Sequence, residues 1–160
     1  MDLNELMEKF AATAEIKGCA PDGNGVYWLL VDDMELCVFS TDDGHVAFSA
    51  GVGEPPPGGV ETRECFYRTL LEAMHLGRGS AGASFSIDGA SGTVCLHRTE
   101  ALSALDFEAF KSTMGHFVDT LAEWRKIAAD FRPVAEKRAS EENARREGAR
   151  DVVENGFMQV

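Results

Sequence analysis

The strongest constraint on this chain is an apolar stripe near its C-terminal end. Phe107, Phe110, Met114, Phe117, Leu121, Trp124, Ala128 and Phe131 recur at spacings of three and four, the period of one face of an α-helix. Fully burying one such side chain stabilises by about 1.5–3 kcal/mol. A helix with so many must therefore lie against a large apolar surface. A sheet is the natural cover; a coiled coil is the alternative, but the stripe is short and aromatic. Ser103 with Asp106 three residues on fits a capping box ahead of this helix. Pro133 ends or kinks it.

Upstream segments supply that sheet. Val26–Val31 is apolar on both faces, as a central strand would be. Met34–Phe39 places Met34, Leu36 and Val38 on one face, and His45–Ala50 places Val46, Phe48 and Ala50 on one face. Asp32-Asp33 is a turn, and Asp43-Gly44 predicts a type I′ hairpin. Further on, Ala81, Ala83, Phe85 and Ile87 alternate with small or polar residues, Asp88–Gly92 turns the chain, and Val94 and Leu96 share a strand face. Two more helices are predicted. Asp2 caps a first helix bearing Leu3, Leu6, Met7, Phe10 and Ala14, with Gly18 as its stop. Thr62 caps a second bearing Phe66, Leu70, Ala73 and Met74, flanked by Leu71 and Leu76. Pro55-Pro56-Pro57 lies in a loop ahead of it that neither helix nor strand can cross.

The predicted order is thus α-β-β-β-α-β-β-α: an α+β fold with a single antiparallel-type sheet packed with helices. Residues 1–132 make one domain, and residues 133–160 form a polar extension, helical or disordered. Val152, Val153 and Phe157–Val160 turn apolar again at its end.

Gly77, Gly79 and Gly82 spell G-x-G-x-x-G. A dinucleotide cradle needs a strand before that motif and a helix after it. Here the helix comes first, and its negative C-terminal end repels phosphate. Gly77 is better read as the residue that ends the second helix, with Gly79 and Gly82 leading into a strand.

Composition narrows the function. The net charge is −12, and residues 134–160 are near balance, so about −11 falls on residues 1–133. Nucleic acid and anionic membranes require a basic footprint and are disfavoured. No apolar run approaches a membrane span, and the N-terminus lacks the basic and apolar regions of an export signal, so a cytoplasmic protein with reduced thiols is expected. Cys19, Cys37, Cys65 and Cys95 are scattered singly, and His45, His75, His97 and His116 stand alone. Neither set has metal-ligand spacing. No nucleophile elbow or phosphate loop occurs. Cys65 would be a nucleophile only with a base nearby. No cofactor and no catalytic residue is expected. What remains is a binding module, with sheet edges that can capture an extended peptide.

The run Leu70-Leu71-Glu72-Ala73 to Leu76-Gly77, the glycine–alanine entry into Ala83-Ser84-Phe85-Ser86-Ile87-Asp88, and Gly92-Thr93-Val94-Cys95-Leu96 resemble the class I chaperones of type III secretion, the Tir-chaperone-like family. Leu105, Phe107, Phe110, Phe117 and Trp124 resemble that family's last helix. The resemblance spans about residues 1–131. It implies an acidic cytosolic homodimer without enzymatic activity that binds the N-terminal chaperone-binding segment of a secreted effector and keeps it export-competent. It further implies self-contacts through Phe66, Leu70, Met74 and Phe85, and client grooves at Leu3, Leu6, Phe10, Val38, Val46 and Phe48. A non-catalytic regulatory or structural binding module of the same fold is the alternative. The triple proline and residues 133–160 depart from the family pattern.

Overall fold

The computed structural model describes residues 1–16 and 18–132. The order is α1 (Leu3–Thr13), β1 (Tyr27–Val31), β2 (Met34–Ser40), β3 (His45–Gly53), α2 (Val60–Met74), β4 (Ser84–Ile87), β5 (Val94–Ala101) and α3 (Phe107–Ala129). The five strands form one sheet in the order β1-β2-β3-β5-β4, and every neighbouring pair is antiparallel. The predicted element order therefore holds, and the two strand blocks join through β3 and β5.

One face of the sheet carries the core. Leu29, Leu36, Ala50, Leu96 and Phe85 lie in one row across it, by the register of successive pairs. The α3 stripe covers this face. Phe48 packs on Phe110 and Phe117 at ring separations of 5.7 and 5.9 Å, and Trp124 meets Phe85 edge-on at 4.8 Å. α1 flanks α3 through Phe10 and Phe110, while α2 reaches its far end through Phe66 and Phe131. The aromatic stripe thus finds a sheet, as the number of its apolar side chains demanded.

Local chemistry sets the boundaries, with several corrections. Asp2 caps α1 as expected, in a reciprocal capping box with Glu5. α1 stops at Thr13, short of Gly18, with Glu15 already left-handed. α2 starts two residues before Thr62, on Gly59, and no side chain caps it. The cap of α3 is Asp106 itself, which accepts from the Ala109 N–H at 2.8 Å; Ser103 sits in a preceding 3₁₀ turn. The β2–β3 hairpin forms, but its turn is not type I′. Thr41 and His45 close a three-residue loop, in which a turn from Thr41 to Gly44 ends on the one residue with positive φ, Gly44. α2 ends at Met74, and the left-handed exit is shared by Leu76 (φ 56°) and Gly77 (φ 65°) rather than falling on glycine alone.

Candidate functional site: two unpartnered apolar surfaces

The first surface is the β1 edge. β1 is an edge strand, not the central strand its apolar sequence suggested. It joins β2 through the two-residue turn Asp32-Asp33, and Val31 pairs with Met34 across it. Such a turn closes on a hydrogen-bonded pair, after which bonded and non-bonded pairs alternate. Trp28 and Leu30 therefore fall at non-bonded pairs, and their N–H and C=O groups point to the free edge. Their side chains stand on the sheet face opposite the core, 55% and 73% exposed. No described helix covers that face; half-buried Cys37, Phe39 and Cys95 continue it inward. The Trp28 indole is held by a hydrogen bond from Nε1 to Asp22 Oδ2, 3.1 Å. Asp22 also accepts from the N–H groups of Asn24 and Val26. The Val26 bond first, then Asn24, then the indole hold its carboxyl below the usual range.

The opposite edge, β4, is short and partly closed. The outward N–H of Phe85 donates to Met74 Sδ at 3.1 Å, so α2 blocks it at that residue. Here the second surface begins. Val60, Leu71 and Leu76 on and just after α2 are 77%, 63% and 75% exposed, and Leu71 shares a hollow with exposed Ile87 of β4. Tyr67, Leu70, Leu71, Met74, Phe85 and Ile87 line a hollow of about 300 Å³. A second hollow of about 620 Å³ runs on along α2 past Val60, Arg63, Tyr67 and Leu71. The triple proline joins from the side: Pro55–Pro57 share a third hollow with Tyr67 and Ile87.

The residues singled out by sequence fall unevenly on these surfaces. Leu70, Met74 and Phe85 come together in the α2–β4 hollow, although Leu70 is nearly buried. Phe66 points inward against Phe131 and is fully buried. Leu3, Leu6, Val38, Val46 and Phe48 all lie in the core under α1 and α3; Phe10 is half-buried at its border. The five buried ones are enclosed between the sheet and its helices, whereas Phe10 keeps part of its surface open. Sequence reasoning passed over Trp28, Leu30, Val60, Tyr67 and Ile87. The signal for the β1 pair was present: a strand apolar on both faces is either central or an edge awaiting a partner.

No reactive constellation accompanies these surfaces. Cys37 and Cys95 on the open sheet face have thiol pKa values raised, chiefly by burial, which disfavours thiolate. Cys65 sits half-buried on α2 among Thr69, Lys126, Ile127 and Asp130, with no histidine in that hollow. Among the described residues no three His, Cys, Asp or Glu side chains are placed to hold a metal ion, and no helix is long and apolar enough to cross a membrane. The G-x-G-x-x-G loop is filled by the chain itself: Gly79 donates to Ala73 O at 2.9 Å and its carbonyl accepts from Trp124 Nε1 at 2.8 Å.

Among the described residues, five antiparallel strands in one sheet, three α-helices and two exposed apolar surfaces make an α+β module. The sequence pattern of the Tir chaperone protein (CesT) family matches residues 5–125. The chain belongs to that family, the class I chaperones of type III secretion, whose members and fold are non-catalytic. Solved structures agree on the fold. A chain of the ExsC–ExsE complex superposes with a TM-score of 0.65 at 22% identity, covering 80% of this chain and 97% of that one. A chain of the HopA1–SchA chaperone–effector complex gives 0.62 at 17% identity, covering 77% and 92%. One from the ExoU–SpcU complex of the Pseudomonas aeruginosa type III secretion system gives 0.55 at 16%, covering 78% and 93%. No curated protein matches by sequence.

Proposed function

We propose that this chain is a cytoplasmic homodimeric secretion chaperone that captures the N-terminal chaperone-binding segment of a secreted effector. The observation that carries the reading is the β1 edge. It offers unpaired backbone groups beside two exposed apolar side chains, which is what an extended segment needs to add as a further strand. The pairing keeps the client extended and export-competent, because its backbone is satisfied without folding. The α2–β4 surface serves the second copy of the chain. Its exposed apolar side chains lie on the far side of the sheet from β1, so both copies keep their client edges free.

Hydrogen exchange on the complex with the cognate effector segment tests this. The Trp28 and Leu30 amides are expected to become protected, and the segment to lack protected helices of its own. A partner that binds as a folded domain and leaves both amides exchanging would favour the regulatory-module reading instead. Sedimentation at micromolar concentration is expected to give a dimer.

A further inference from the structure

The β1 edge is apolar at its centre and acidic at both ends. Asp22 lies at one end, beside Val26 and the Trp28 indole. Asp32 and Glu35 lie at the other, with Glu35 directly across from Leu30. All three are exposed. Arg125 pairs with Asp33 at 3.4 Å, and no described cation pairs with Asp22, Asp32 or Glu35. The hydrogen bonds from Val26, Asn24 and the Trp28 indole fix the Asp22 carboxylate at that end of the edge.

We propose that this edge selects its occupant by charge as well as by apolar content: an extended segment with two apolar residues two positions apart, bounded on the same face by Lys or Arg. The inference rests on the strand-addition reading above and adds what the strand must contain. The spacing follows from the pleat. Side chains of an added strand that stand on the open face recur every second residue, like Trp28 and Leu30. Residues opposite Trp28 and Leu30 meet apolar surface and must themselves be apolar. The next positions outward on the same face lie opposite Val26 and Asp32. There a long basic side chain reaches Asp22 at one end, and Asp32 or Glu35 at the other. An acidic residue at either place would face like charge, which costs affinity and slows encounter.

The test uses the full chain and two synthetic heptapeptides capped at both ends: Lys-Thr-Val-Thr-Val-Thr-Lys and Glu-Thr-Val-Thr-Val-Thr-Glu. Both place their valines and end charges on one face, and the pattern reads the same in either strand direction. Binding is read by the emission of exposed Trp28, which shifts to the blue as the indole is covered, and by exchange of the Trp28 and Leu30 amides. The lysine peptide is expected to bind about tenfold or more tightly than the glutamate peptide in dilute salt. The gap should shrink as salt rises from about 0.05 to about 0.5 M. Asp32→Asn with Glu35→Gln keeps the side-chain shapes and should bring the two affinities within about threefold, with no change in thermal midpoint. Equal protection of the two amides by both peptides would overturn the charge rule while leaving strand addition in place. Protection by neither peptide would overturn both.

Discussion

At the scale of single residues, the loop that mimics a nucleotide motif is a packing device. An added Cβ on Gly79 would sit 3.0 Å from Ala73 Cβ and 3.1 Å from Ala73 Cα, so the loop and α2 could not keep their spacing. Gly79→Ala is expected to cost about 1–3 kcal/mol in urea unfolding, the range for overpacking a close contact. Trp124→Phe keeps most of the ring against Phe85 but leaves the Gly79 carbonyl without its donor. A loss of about 1–3 kcal/mol is expected. Asp22 supplies a pH signature. Its folded pKa is lowered by bonds that exist only in the native loop, so their stabilisation is full above the unfolded carboxyl pKa. It is lost as pH falls through the lowered folded value. An emission titration should show the Trp28 environment unchanged at pH values where a free aspartate is already protonating, and changing only below them. Asp22→Asn should abolish that step.

At the scale of elements, adjacent leucines on α2 do different work. Leu70 is 4% exposed and belongs to the core, whereas Leu71 points outward beside the α2–β4 hollow. An aspartate at Leu70 would bury an unpaired carboxylate and unfold the domain, so loss of a dimer there would say nothing about an interface. Leu71→Asp places the charge on the exposed side. It is expected to convert the dimer to monomer in sedimentation while changing the monomer's stability by no more than about 0.5 kcal/mol. A dimer that survives it would move the self-contact off α2. Periodicity puts Leu70 on the stripe of the second helix and Leu71 on its flank, but it does not say how far the cover over that stripe reaches; contacts far away in sequence, such as Phe66 on Phe131, decide that. The same limit explains the misplacement of β1. Alternation within a strand reports whether its two faces are apolar, but the neighbour that would make it central is set by contacts far away in sequence. By contrast, the α3 stripe, the Asp2 cap and the strand faces of β2 and β3 were legible, since each depends on residues within one or two turns.

At the scale of the whole molecule, the two sides of the sheet divide stability from binding. Leu6, Val38, Val46 and Phe48 have essentially no exposure and sit between the sheet and its helices, while Trp28 and Leu30 stand on the side that no described helix covers. Truncating the first group should act on the fold. Leu6→Ala removes a fully buried side chain, so a loss of about 2–5 kcal/mol is expected, with client affinity at a temperature well below unfolding nearly unchanged. Truncating the second group should act on the client. The double variant Trp28→Thr with Leu30→Thr keeps β-forming residues on an edge strand and removes mostly exposed apolar surface, together with the indole's hydrogen bond to exposed Asp22. Its urea midpoint should stay close to that of the parent, while affinity for the effector segment falls about tenfold or more, as expected when a central aromatic anchor is lost. The reverse result, affinity lost with Leu6→Ala in a protein still fully folded and retained with the threonine pair, would mean that α1 swings away to admit the client. The binding surface would then be the one now packed as core.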